Sequence, residues 1–184
     1  MSKFQSAENF AKERHLSTIE GDRKTSSQEH LGVVVSRLKT LGITDDDALS
    51  AAWLHDILED TKTSFEELDQ RFGSKVAVLV MSISRDKNLP RIKQEEQFVK
   101  QLKESPFEAK LIKLCDISAT LRDLKNVPVS KTKRMKEVKK KLFYLNVIKS
   151  DLIKNKSQVP GIVSLINGIN VMILSYGLRP IIFQ

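Results

Sequence analysis

Cysteine, glycine, proline and histidine are all scarce in this 184-residue chain, and each scarcity excludes something. A single cysteine, Cys115, has no partner for an internal disulfide and points to a reducing compartment. Seven glycines and five prolines exclude a collagen repeat, a mucin-type stalk and a long disordered tail. Long apolar runs are absent too. The most apolar stretch, Ile162 to Leu178, is interrupted by Ser164, Asn167, Gly168, Asn170, Ser175 and Gly177. It falls short of the ~18 uninterrupted apolar residues that suggest a membrane span, and reads as a buried terminal helix. Met1 to His15 (MSKFQSAENFAKERH) is polar throughout and lacks the apolar core of an export signal, so the expectation is a cytoplasmic protein without a membrane partner.

What is present is globular: 40% hydrophobic and 29% charged residues, at a length near that of one domain. The formal charge is +8, from 31 Lys and Arg against 23 Asp and Glu, which favours anionic partners such as nucleic acid, a membrane surface or a phosphorylated small molecule. The charge is uneven. Residues 1–84 are net −4, residues 85–156 are net +11, and residues 157–184 are net +1.

Apolar spacing is helical almost everywhere, with no convincing period-2 run, so the expected class is all-α. The spacing predicts helices over Ser6 to His15, from Ser27 to a stop at Gly42, and from a Thr44-x-x-Asp47 start through Leu58. Thr63 with Glu66 opens another that ends at Gly73, and SRDKNLP (84–90) is a loop before a charged helix. Phe107 to Leu124, Lys131 to Lys156 and Ile162 to Leu178 complete the set, with IEGDRKTSS (19–27) read as a loop. The domain reading is a core over 1–127 and C-terminal helices over 128–184 packing on the same domain. Cys115 and Trp53 are expected in the core, and His15 at the surface, closing the first helix.

One of the three histidines sits in Trp53-Leu54-His55-Asp56-Ile57-Leu58-Glu59-Asp60-Thr61, beside one carboxylate and a helical turn before two more. At 3.6 residues per turn His55 and Glu59 share a face, as do Asp56 and Asp60. The apolar lead-in Ala51-Ala52-Trp53-Leu54 implies partial burial, where carboxylates are costly unless paired or metal-bound. Mixed His and Asp donors suit Mn²⁺, Fe²⁺, Zn²⁺ or Co²⁺ better than Ca²⁺. One turn cannot surround a metal, and the further ligands on offer are His30 and Asp116.

The order His30, His55-Asp56, Asp116, with 25 and 60 positions between members, resembles the HD-domain metal-dependent phosphohydrolases. AAWLHDILEDTKTSFEELDQRFGSKVAVLV, SRDKNLP and AKLIKLCDISATLRDL are similar to the "LLHD-x-x-EDT", "DDK-x-LP" and "AKL-x-KLAD-x-x-x-N-LRDL" stretches of RelA/SpoT-type (p)ppGpp hydrolases, nearest the stand-alone small alarmone hydrolases of the metazoan SpoT homologue type. The resemblance covers roughly Phe10 to Leu124. It implies an all-helical guanosine-3′,5′-bis(diphosphate) 3′-pyrophosphohydrolase of the stringent-response kind, with Mn²⁺ or another divalent transition metal held by His30, His55, Asp56 and Asp116. It further implies Glu59 and Asp60 as the pair that orients or deprotonates the attacking water, and Arg23, Lys24 and Arg91 as basic residues around the substrate.

The chain departs from that pattern at three places. The family's Tyr and Pro beside the first metal histidine are absent from Ser27-Gln28-Glu29-His30-Leu31, Thr120 stands for an Asn of the nucleoside pocket, and Tyr144 is the nearest candidate for an aromatic that stacks on the base. The substrate set is therefore Arg23, Lys24, Arg91, Thr120 and Tyr144. Two alternatives stay open: an HD-type phosphatase or phosphodiesterase acting on another nucleotide, such as NADPH or a nucleoside monophosphate, and a nucleic-acid-binding helical protein with a vestigial HD site. The second rests on KTKRMKEVKKK (131–141), which reads either as a solvated helix face with Met135, Val138 and Leu142 inward or as an electrostatic footprint for RNA or DNA.

Overall fold

The computed structural model describes the backbone of residues 2–18 and 23–184, and the side chains of 2–17 and 27–184. These form ten helical segments and no strand: α1 (Lys3–Thr18), α2 (Arg23–Thr40), α3 (Asp46–Leu54), α4 (Ile57–Asp60), α5 (Phe65–Phe72), α6 (Ser74–Ser82), α7 (Arg91–Glu104), α8 (Phe107–Asp123), α9 (Lys131–Lys154) and α10 (Gly161–Ser175). The all-α reading holds among the described residues, and none of their helices is long and apolar enough to cross a membrane.

The centre of the bundle is α8. Its residues from Ala109 to Ala119 are buried without interruption, so it is covered on every side: by α2, α3 and α6 toward the N-terminal half, and by α9 and α10 on the other. Because α8 is buried all round, the charged residues on it, Lys110, Lys113 and Asp116, are buried with it and need partners. α3 is rich in small residues, and Ala48, Ala51 and Ala52 bring it close to its neighbours. α1 lies across α3 through Ala7, Phe10 and Ala11.

Two helix starts fall one residue later than the spacing predicts. α3 is capped by Asp45, whose carboxylate accepts from the Ala48 N–H at 2.8 Å, and α5 by Ser64, which accepts from the Glu67 N–H at 3.2 Å. Thr63 is occupied elsewhere: its hydroxyl and backbone N–H both meet the Thr61 hydroxyl, which itself donates to the Ile57 carbonyl. Gly42 and Gly73 end their helices at φ +84° and +88°, a region that favours glycine. The loop expected to run to Ser27 is helical from Arg23 onward.

α10 is not the buried helix its composition suggested. Ile162, Ile166, Ile169 and Ile173 face the core, but Val163, Val171 and Leu174 are exposed. His15 is likewise not at the surface: its side chain is fully buried on the inner face of α1.

Candidate metal centre

Adjacent residues on a continuous helix diverge by about 100°. The chain escapes this at the His55-Asp56 pair because α3 stops at Leu54 and α4 begins at Ile57, with Asp56 at φ −99°, ψ −3° between them. The single helix read from the sequence over this stretch is therefore two. The break brings His55 Nε2 to 3.1 Å from Asp56 Oδ2. α2 supplies His30 and α8 supplies Asp116, whose Oδ1 is 3.3 Å from His30 Nε2 and 4.0 Å from His55 Nε2. Four residues spread over 87 positions of sequence, 30 to 116, thus converge at one point, and ligand atoms of His30, His55 and Asp56 lie within 4.8 Å of one another.

The donors fit a metal ion. Imidazole nitrogen and carboxylate oxygen each bind at ~2.0–2.2 Å, so neighbouring donors on one ion sit ~3.0–3.5 Å apart, the range of the 3.1 Å and 3.3 Å contacts. His55 Nδ1–H donates to the Ala52 carbonyl at 2.8 Å, which fixes the tautomer with its lone pair on Nε2. That buried Nε2 has no hydrogen-bond partner. His30 is oriented in the same manner, with Nδ1 3.5 Å from Asp123 Oδ2 and Nε2 turned to the cluster.

Charge completes the fit. Burial pushes the His55 imidazole down, but the Asp56 and Asp116 charges outweigh it and hold the ring at about 9, so without a cation this histidine keeps its proton. Burial pushes both carboxylates up, yet Asp56 is held below the usual range by His55, and Asp116 well below it by Lys113 and Lys141. Lys113 Nζ is 2.8 Å and Lys141 Nζ 3.4 Å from Asp116 Oδ2, while Thr120 Oγ1 donates to Oδ1 at 3.1 Å. Two buried ammonium groups thus share one carboxylate oxygen.

Beside the cluster, Glu59 is locked in place. Its Oε1 accepts from the Arg85 backbone N–H at 2.9 Å and its Oε2 from Arg85 Nη1 at 3.0 Å. Arg85 Nη2 donates to the Tyr144 hydroxyl at 2.9 Å, and that hydroxyl donates to Glu95 Oε1 at 2.5 Å. The guanidinium lies over Phe98, 4.8 Å from the ring centroid. Asp60 follows one residue later with its side chain 45% exposed, and burial of its inner part with the charge of Asp56 raises its carboxyl.

The substrate set fares unevenly. Tyr144 is fully buried, its ring against Phe98 and under Arg85, so it has no free face for a base and serves the Glu59 clamp instead. The Thr120 hydroxyl is engaged by Asp116. Arg91 is exposed at the start of α7, where its charge bears on Lys140. Arg23 and Lys24 stand at the start of α2, and their side chains lie outside the described residues. Sequence reasoning missed Arg85, Lys113, Lys141 and Asp123. Each left a signal: Arg85 opens the RDKNLP run where the "DDK" pattern has an acid, Lys113 precedes Asp116 by three positions, Asp123 belongs to the LRDL match, and Lys141 ends the basic run. That run divides, with Lys131, Lys133, Lys136 and Lys139 exposed and Lys141 turned inward; Val138 is buried as expected. Burial pushes the Cys115 thiol up to about 12, as befits a core residue.

A model of the HD domain family matches residues 7–145. The guanosine-3′,5′-bis(diphosphate) 3′-pyrophosphohydrolase MESH1 of Danio rerio is 39% identical over 118 residues, 63% of this chain and 66% of that protein. Its counterpart in Xenopus tropicalis is 40% identical over 121 residues, 65% and 68% of the two chains, so the matched segment spans about two thirds of these relatives. A solved structure, of a metazoan SpoT ortholog described as hydrolysing ppGpp with a role in starvation responses, superposes with a TM-score of 0.75 over 97% of both chains at 26% identity.

Proposed function

The chain belongs to the HD-domain family, and on that footing we propose that it is a metal-dependent phosphohydrolase that removes the 3′-pyrophosphate of guanosine-3′,5′-bis(diphosphate). The observation that carries the reading is the convergence of His30, His55, Asp56 and Asp116, with an unpartnered buried nitrogen on His55, next to a clamped Glu59. The similarity to proteins of that printed activity supports the substrate.

The four ligands would hold Mn²⁺ or another divalent transition ion, and a cation there supplies the Lewis acidity that takes the pKa of water from ~15.7 toward ~7. Each Glu59 oxygen donates one lone pair to Arg85 and keeps the other, which suits the carboxylate to orienting the attacking water. Asp60, exposed at the rim of the cluster, takes up the proton that the water gives away. Attack on the phosphorus esterified to O3′ breaks the P–O3′ bond and releases pyrophosphate and guanosine 5′-diphosphate. Lys113 and Lys141 offer two ammonium groups against the single carboxylate oxygen they share, and the surplus suits the growing negative charge on the phosphoryl oxygens. A cytoplasmic setting agrees with the lone, unpaired cysteine.

A second reading, hydrolysis of another nucleotide, is favoured by one observation: burial of Tyr144 and engagement of Thr120 leave the base without an identified partner among the described residues. A panel settles the choice. With Mn²⁺ present, guanosine-3′,5′-bis(diphosphate) should give a kcat/KM at least tenfold above NADPH and nucleoside monophosphates; a higher value for NADPH would move the assignment to the second reading. Absence of turnover throughout, with salt-dependent binding of RNA or DNA, would support the nucleic-acid alternative.

A further inference from the structure

His15 has no place in the metal cluster, yet it is built into the core behind the catalytic turn. α1 presents it with a fully buried side chain, and Nδ1 lies 2.8 Å from the Ala11 carbonyl oxygen one turn earlier. A carbonyl only accepts, so Nδ1 carries the proton of the neutral ring and Nε2 carries the lone pair. Nε2 has no hydrogen-bond partner, and Asp60 Oδ2 is 3.8 Å away. An unpartnered buried polar atom costs ~1–3 kcal/mol, which an apolar residue in the same place would avoid.

Asp60 lacks what Glu59 has. Arg85 grips both Glu59 oxygens, whereas among the described residues the Asp60 side chain has no ion pair other than this approach to His15. Its backbone is fixed by the bond from its N–H to the Asp56 carbonyl at 2.9 Å, and its side chain is 45% exposed and free to move by less than an ångström.

We propose that His15 is the positioning residue of Asp60: a hydrogen bond between Nε2 and Oδ2 fixes the carboxyl rotamer and turns Oδ1 toward the reacting water. The bond needs one proton, carried on Nε2 or on Oδ2, and the raised Asp60 carboxyl is consistent with a share in it. The functional consequence rests on the hydrolase reading; the contact itself does not. Glu59 and Asp60 are then supported from opposite sides, one by α9 and the loop before α7, the other by α1.

Two measurements test this. In ¹⁵N-histidine-labelled protein without metal, the His15 Nε2 resonance should move in Asp60→Asn; an unchanged resonance overturns the contact, whether or not the protein hydrolyses any nucleotide. In kinetics, His15→Asn keeps the Nδ1-side donor and deletes Nε2, and should lower kcat about tenfold with KM and Mn²⁺ affinity within twofold. His15→Gln, whose amide reaches the Nε2 position, should recover at least a third of the wild-type rate, and the His15→Asn, Asp60→Asn double variant should be no slower than Asp60→Asn alone. Equal loss in the Asn and Gln variants, or a further tenfold loss in the double variant, would make His15 a purely structural residue and overturn the proposal. Should His15→Asn fail to fold, the resonance shift and the His15→Gln rate still decide it.

Discussion

Replacing Arg85 with Met removes the clamp on Glu59 while keeping an apolar stem of similar length. Three contacts disappear: the Nη1 bond to Glu59 at 3.0 Å, the Nη2 bond to Tyr144 at 2.9 Å and the stacking over Phe98 at 4.8 Å. Removing one partner of a fully buried ion pair costs ~3–5 kcal/mol, but Arg85 and Glu59 are 22% and 24% exposed, so solvent screening brings the cost to about 1–2 kcal/mol. Lost stacking adds ~0.5–1 kcal/mol. For a chain of this length the sum lowers Tm by roughly 4–8 °C and leaves the protein folded at 25 °C. The rate should suffer more. Glu59 keeps only its bond from the Arg85 backbone N–H at 2.9 Å, and a carboxylate displaced by ~1 Å loses on the order of 100-fold in kcat. The assay is steady-state pyrophosphate release at saturating Mn²⁺, alongside thermal denaturation. Arg85→Lys should fall between, since one ammonium cannot serve Glu59 and Tyr144 together. A folded Arg85→Met enzyme with kcat within twofold of wild type would refute the clamp.

Other outcomes follow from the same geometry. Mn²⁺ affinity should rise about tenfold per pH unit up to about pH 9 and level off above it, because binding must displace the proton that Asp56 and Asp116 hold on His55; a flat profile from pH 6.5 to 9 in titration calorimetry would contradict this. Asp123→Asn removes the carboxylate behind His30 and should weaken Mn²⁺ binding ~10–100-fold with the fold intact, read by the same calorimetry. Lys141→Met should raise KM for the nucleotide ~10-fold or more, the loss of one charge-assisted bond to phosphate, while metal affinity stays the same or improves. Alanine at Lys131, Lys133, Lys136 and Lys139 together should leave hydrolysis within twofold of wild type; a collapse of activity would bring the exposed face of α9 into the site.

Much of this site was legible because its chemistry is written in rare residues. With three histidines in the chain, the His55-Asp56 pair and the carboxylates after it stand out, and the separations of His30 and Asp116 match a known pattern. Periodicity also located most helices, since buried faces repeat at 3.6 residues. What stayed hidden depends on tertiary contacts. A Ser, Thr or Asp can cap a helix from either of two neighbouring positions, and the Thr61–Thr63 contact decides that Ser64 does so in α5. The break between α3 and α4 leaves near-helical dihedrals, so no Gly or Pro marks it. His15 read as a surface residue because its polar neighbours set the expectation, whereas its position on the face of α1 against α3 and α4 buries it. Tyr144 and Arg85 are 59 positions apart, and no local pattern records that they meet.

The most direct test of the account is product analysis from guanosine-3′,5′-bis(diphosphate) with purified protein and Mn²⁺. Guanosine 5′-diphosphate and pyrophosphate should form in equal amounts, and both should vanish on chelation and in Asp56→Ala. Product formation unchanged in Asp56→Ala, or no product from protein shown to hold one metal ion per chain, would contradict it.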